Sequence, residues 1–364
     1  VRGRCAHRMT ALKDIVTRQI SRTGPLTLAD YMALCLSHPE HGYYATRDPL
    51  GAGGDFTTAP EISQMFGELI GLALAQSWLD QGAPDPFVLC ELGPGRGTLM
   101  ADALRATARV PGFHDALTLH LVETSPALRA EQASRLPGAT WHDSVVSLPE
   151  APLFMIANEF FDALPIRQFQ RHAKGWQERV VGLKDGAPVL GLTDPAPHEA
   201  LDHRLADTEP GQIVETCAPA QAIAQEIGRR IAAHGGAALI VDYGDWRSRG
   251  DTFQAMYRHK PAEPFDSPGE ADLTAHVDFE ALAGAAHPAA HSALTPQGVF
   301  LEHLGITARA QALARGLGGA ALESHVAAHR RLTHPAEMGS LFKVLALFPQ
   351  DAPPPPGTGL PDPS

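Results

Sequence analysis

The chain has 364 residues, of which 41 are acidic and 29 basic, giving a formal net charge of −12. Most of such a surface would repel phosphate backbones, which excludes a general nucleic-acid binder. Apolar residues at 44% against charged residues at 19% exclude a disordered chain, and the length holds one large domain or two modest ones.

The residues before Met9, VRGRCAHR, are basic but lack the apolar core of a secretory signal, and read as an extended start, an expression remnant or the remnant of a transit peptide. Residues 1–80 are expected to form a helical region, with apolar positions at helix spacing in LKDIVTRQI and EISQMFGELIGLALAQSWL. Between these lies LGAGGDFTTAPEIS, a glycine-rich surface turn or a functional loop.

From Phe87 the pattern changes. FVLCEL, LTLHLVE, LFMIANE and AALIVDY are short apolar runs that alternate with helical stretches, the signature of parallel strands in a doubly wound α/β sheet with ligands at the carboxyl ends. The core is expected over residues 81–165 and 236–350. Between them, residues 166–235 read as an inserted β subdomain, with QFQRH, WQERVVGL and PVLGL separated by Gly175 and Asp185-Gly186, and then a return helix. Late strands are expected near Ser292 to Leu294 and Leu341 to Phe348, and the proline-rich tail 351–364 is expected to be disordered.

The segment VLCELGPGRGTLMADAL carries the chemistry. Glu91 ends a strand, and Gly93, Gly95 and Gly97 then lead into a helix whose first N–H groups are free. GxGxG differs from the GxGxxG of dinucleotide folds, so an NAD-dependent oxidoreductase is the weaker alternative. A carboxylate before the glycines suits a ligand with an ammonium group, such as S-adenosylmethionine. Glu123 ends the next strand, 26 positions beyond Gly97, near the interval of about 20 at which an acidic residue takes ribose hydroxyls. Beyond a third strand, Asp143 and Ser144 are placed to meet an adenine amino group.

After the fourth strand Asn158, Glu159 and Asp162 follow one another, where methyltransferases of this architecture put their acceptor-contacting residues. The two carboxylates can hold a guanidinium through paired charge-assisted hydrogen bonds. Asp242, ending the next strand, and Asp272 are further candidates. The plain structural alternative is that Asp162 caps a helix and Glu159 faces solvent.

Other signals carry less. His325 and His329 stand four apart with His334 nearby, but HVAAH lacks the intervening glutamate of a metalloprotease helix, and among 18 histidines chance pairs are expected, so no metal is assigned. Cys5, Cys35, Cys90 and Cys217 form no CxxC pair, which implies a reducing compartment with Cys90 and Cys217 as packing residues. No apolar run approaches the roughly 20 residues of a membrane-spanning helix.

Several segments together resemble one family, the MidA-like (DUF185) S-adenosylmethionine-dependent methyltransferases. They are GDFTTAPEISQMFGELIG, ELGPGRGTLM, HLVETSP, NEFFDALP, VDYG and ADLTAHVDF, and the resemblance runs from about Pro25 to Phe348. It implies a class I methyltransferase (Rossmann-like) fold binding S-adenosylmethionine. Through the family's mitochondrial member it also implies methylation of an arginine on the iron–sulfur core subunit of respiratory complex I. Carried over by position, Glu91, Gly93, Gly95 and Gly97 would line the methionine moiety, Glu123 the ribose, and Asp143 with Ser144 the adenine side. Asp55 and Thr58 would close over the cofactor, with Asn158 beside it and Glu159, Asp162, Asp242 and Asp272 toward the acceptor. The expected partners are a protein substrate and, in a homodimer, a second copy. The expected place is the bacterial cytoplasm, or the mitochondrial matrix in a eukaryote. A non-catalytic complex I assembly chaperone is the remaining alternative.

Overall fold

The computed structural model describes residues 11–46, 58–258 and 260–361. The chain divides into two compact units. The larger comprises residues 57–161, 220–246 and 279–364, and the smaller residues 1–56, 162–219 and 247–278.

The larger unit is built on a sheet whose strands are β1 (Phe87–Leu92), β2 (Leu117–Val122), β3 (Thr140–His142), β4 (Leu153–Asn158), β5 (Gly236–Asp245), β6 (Ala290–His291), β7 (Thr295–Pro296) and β8 (Phe342–Phe348). The order across it is β6-β8-β5-β4-β1-β2-β3, with β7 also on β8. Strands β3, β2, β1, β4 and β5 run parallel, and β8 is antiparallel to β5. Every residue of β1 and β4 is buried, which is why both read as unbroken apolar runs rather than alternating ones. From β1 the chain winds outward to β2 and β3 and then returns to the other side of β1 as β4. The crevice between the carboxyl ends of β1 and β4 is therefore the topological switch point, where open α/β sheets take ligands.

Helices α1 (Gln64–Asp80), α2 (Thr98–Thr107) and α3 (Pro126–Arg135) belong to this unit. Trp78 of α1 stands edge-on to Phe113, with ring centroids 5.2 Å apart. Both rings are buried in the main core, each contributing about 1.5–3 kcal/mol of burial. Glu68, also on α1, is buried between Arg105 of α2 and Arg309 of helix Ile306–Ala314, at 2.7 and 2.8 Å. Burial alone would raise its pKa, but the two guanidiniums outweigh that and hold it low.

The smaller unit holds the strands that follow Ile166, while most of the return helix Ala218–His234, expected with them over residues 166–235, falls in the larger unit. Arg167–His172, Gly175–Lys184, Ala187–Leu192 and Ile213–Thr216 form an antiparallel sheet. Asp185 and Gly186 both have positive φ, 52° and 76°, as a two-residue hairpin turn requires. Leu26–Thr27 pairs with Gly175–Lys184 and draws Ala11–Thr23 and Leu28–Ser37 into this unit. The helical region expected over residues 1–80 is thus divided, with α1 in the larger unit. A two-residue strand shows no alternation, so nothing in the sequence marks it. A second small sheet joins Gln254–Tyr257 to Lys260–Ala262 and Asp272–Thr274.

The tail departs from expectation. Through residue 361 it is packed rather than disordered: Ala293 N–H donates to the Gly359 carbonyl at 2.8 Å, and Pro355 is buried. Prolines restrict the unfolded chain as well as the folded one, so a proline-rich segment loses little entropy when it docks.

Candidate functional site

At the end of β1, Glu91 is 3% exposed, and its Oε2 has no hydrogen-bond partner. Burial pushes its carboxyl up to about 8. The turn that follows places Gly93, Gly95 and Gly97 at φ values of 59°, 53° and 75°. L side chains pay roughly 1–2 kcal/mol for each such residue, which is why this turn is written in glycine. Packing adds a second demand: a Cβ on Gly93 would lie 2.8 Å from Phe160, and one on Gly97 would lie 2.9 Å from Leu136. These two glycines make room for protein side chains, where the sequence suggested room for ligand alone. Gly97 offers no side-chain cap, and the Glu91 carboxyl instead accepts from Met100 N–H in the first turn of α2.

One residue that sequence reasoning missed organises the turn. Gln132, on α3 and fully buried, donates from Nε2 to the Gly95 carbonyl at 2.6 Å and to Glu123 Oε2 at 3.4 Å. Its Oε1 accepts from Trp141 Nε1 at 2.8 Å. A single amide thereby joins the glycine turn, the end of β2 and the start of β3. Its polar character at an inward α3 position was the available signal.

Glu123 is buried, and burial raises its pKa although Ser125 N–H donates to Oε1 at 2.7 Å. Asp143 is exposed and paired with Arg129, whose Nε also donates to the Glu123 carbonyl at 2.6 Å. Arg129 thus fastens the end of β2 to the end of β3. Ser144 caps the turn Val145–Ser147 by accepting from Val146 N–H at 3.3 Å. Beside them His120 and His142 share a hydrogen bond of 2.8 Å, and burial lowers the pKa of both.

At the end of β4, Asn158 is buried with Oδ1 unpartnered, and its Nδ2 donates to Glu159 Oε1 at 3.1 Å. Glu159 adopts φ 51°, uncommon for a residue with a side chain. It does not simply face solvent. Oε1 also accepts from Ala59 N–H at 3.0 Å, and burial pushes the carboxyl up to about 7. Asp55 of the preceding loop lies outside the described residues; Thr58 is half-buried and leads into the short helix Ala59–Ile62.

The remaining acceptor candidates are Asp242, Asp162 and Asp272. Asp242 is fully buried, with Oδ2 accepting from Phe160 and Phe161 N–H at 3.2 and 2.9 Å and Oδ1 from Tyr243 N–H at 3.0 Å. Its carboxylate holds the backbone that follows Glu159, where the N–H groups leaving β4 have no strand partner. Asp162 and Asp272 belong to the smaller unit, where Tyr44 OH donates to Asp272 Oδ1 at 3.5 Å. Burial and then the charges of Asp272 and Asp162 raise the Tyr44 pKa. Tyr44 was missed, since nothing local distinguishes it from a packing tyrosine.

His325 and His329 are committed elsewhere, to the Ala310 carbonyl at 2.9 Å and Thr307 Oγ1 at 3.1 Å. Among the described residues no cluster of three or more potential metal ligands occurs, and no helix is long and apolar enough to cross a membrane. Cys35, Cys90 and Cys217 are free thiols; Cys90 is buried in β1, which pushes its thiol up, and Cys217 donates to the Pro165 carbonyl at 3.4 Å.

Two buried, unpartnered acceptors, Glu91 Oε2 and Asn158 Oδ1, therefore stand at the carboxyl ends of the two strands that flank the switch point. Such orphans carry a desolvation penalty of about 1–3 kcal/mol that a ligand's donors would relieve. An ammonium group fits Glu91, and a ribose diol fits Glu123 beyond the glycine turn.

Comparison with known proteins agrees. Residues 69–297 match the family model of S-adenosyl-L-methionine-dependent methyltransferases. "Protein arginine methyltransferase NDUFAF7, mitochondrial" of Xenopus tropicalis is 36% identical over 93% of this chain and 86% of its own length. The human protein of that name is 36% identical over 91% and 82%. A crystal structure from Burkholderia thailandensis bound to S-adenosyl-homocysteine is 31% identical, with a TM-score of 0.79, over 93% of this chain and 92% of that one. Sheet order, glycine turn and sequence converge: the chain belongs to the S-adenosyl-L-methionine-dependent methyltransferase family.

Proposed function

We propose that this methyltransferase modifies an arginine of a protein substrate, and that the substrate is a core subunit of respiratory complex I whose methylation supports assembly of the complex. The observation that carries the reading is similarity over nine-tenths of the chain to proteins named as arginine methyltransferases, together with the half-buried carboxylate Glu159 that follows β4. When bound, S-adenosylmethionine supplies an electrophilic methyl group. Glu91 would hold its ammonium, Glu123 its ribose, and Asn158 Oδ1 a further donor.

For the acceptor we assign Glu159. A guanidinium has a pKa of about 12.5 or more and is a poor nucleophile while its lone pair is delocalised. An ionised Glu159 would fix the plane of that group and take the proton released after transfer. The negative net charge suits a basic peptide. Because the ionised form is the useful one and burial places its pKa at about 7, kcat/KM is expected to rise with pH through about 7 and then level. Glu159→Gln should abolish that rise and lower kcat about a hundredfold or more. A variant that keeps the wild-type pH profile would remove Glu159 from this role.

Peptide mass spectrometry of complex I core subunits, after incubation with enzyme and labelled donor, tests the substrate. Label on one arginine is the expected result, and label only on other residue types contradicts it. Gly95→Val separates enzyme from silent chaperone. The branched side chain is strained at φ 53°, so the variant should lose cofactor binding and methylation together. Full rescue of complex I assembly by that variant would show that catalysis is not the function.

A further inference from the structure

The first turn of α2 follows Gly97, which provides no cap, yet Thr98 is held from two sides. Arg135 Nη1 of α3 donates to Thr98 Oγ1 at 2.5 Å, and the same hydroxyl donates to Glu61 Oε1 at 2.6 Å. A hydroxyl between a guanidinium and a carboxylate is polarised by both, so each bond strengthens the other. Glu61 lies on the short helix Ala59–Ile62, and the near end of that helix is fixed by the Ala59 N–H bond to Glu159 Oε1. The segment 59–62 thus runs as a strap from the end of β4 to the start of α2, while Gln132 holds the other side of the glycine turn at the Gly95 carbonyl.

We propose that Glu61, acting through the hydroxyl of Thr98, is a positioning residue for the cofactor. It fixes the start of α2 at Thr98, and so the backbone from Gly93 to Gly97, in the conformation that binds S-adenosylmethionine. Neither side chain needs to touch the ligand. The inference rests on the placement of the cofactor at that turn.

Calorimetric titration of the full chain with S-adenosylhomocysteine, alongside thermal melting of the ligand-free protein, tests it. Thr98→Val and Glu61→Ala are each expected to weaken binding about tenfold. Thr98→Ser, which keeps the hydroxyl, should bind as the wild type does, and the double variant Glu61→Ala/Thr98→Val should bind no more weakly than either single one. Wild-type affinity in Thr98→Val, equal losses in Thr98→Ser and Thr98→Val, or fully additive losses in the double variant would each overturn the proposal. Glu91→Gln serves as the reference. If it also binds normally, the placement of the cofactor fails; if it alone loses binding, only the role of Glu61 fails.

Discussion

Glu91→Gln is expected to weaken S-adenosylhomocysteine binding by a hundredfold or more and to abolish proton release on binding. The carboxyl is buried at the end of β1 and, with its pKa pushed to about 8, is protonated in the ligand-free protein at pH 7. An ammonium brought against the unpartnered Oε2 favours the ionised form, so binding near neutral pH must expel most of one proton. Removing one partner of a buried ion pair costs about 3–5 kcal/mol, which sets the scale of the loss. Calorimetry in two buffers of different ionisation enthalpy reads the proton directly. The same shift acts on stability. The folded-state pKa lies above the unfolded value of 4.5, so the neutral carboxyl stabilises the fold at low pH, and this contribution is lost as pH rises from about 4.5 through 8. The ligand-free Gln variant should therefore melt higher than wild type at pH 9 and nearly the same at pH 4. Equal melting at pH 9, with no change in proton release, would show that Glu91 is neither buried neutral nor facing the ligand.

The second large effect is expected at Asp242. Alanine there strands the N–H groups of Phe160, Phe161 and Tyr243 in the interior, at about 1–3 kcal/mol for each one left unsatisfied. A total loss of at least about 3 kcal/mol, read as a fall in Tm of several degrees, is the prediction. Because the anchored backbone directly follows Glu159, kcat should fall as well. Asp242→Asn discriminates. It retains one carbonyl acceptor and the volume but places an amide donor against backbone N–H groups, so Tm and kcat should fall together. A direct acceptor contact would instead leave Tm intact while kcat collapses.

The parallel strands were legible because burial on both faces demands continuous apolar residues. FVLCEL became β1 without change, and the Asp185-Gly186 hairpin follows from the backbone conformation that dipeptide favours. The glycine turn was legible for the same reason, since three left-handed residues leave glycine as the natural choice. What the sequence hides is pairing across distance. Gln132 is one more amide in a helix until the Gly95 carbonyl is found beside it. Glu61 and Thr98 likewise carry no mark of each other. Asp242 reads in the sequence only as an acidic residue ending a strand; the three N–H groups it accepts from are visible only in the structure. Leu26–Thr27 is too short to display a period, and for that reason the division of the helical region between the two units was out of reach.

The most direct measurement is a crystal structure of the protein with S-adenosylhomocysteine. The ligand is predicted to occupy the crevice between the ends of β1 and β4, its ammonium bonded to Glu91 Oε2, its ribose on Glu123 and the glycine turn unmoved. Binding elsewhere, with Glu91 Oε2 and Asn158 Oδ1 still unpartnered, would contradict the account.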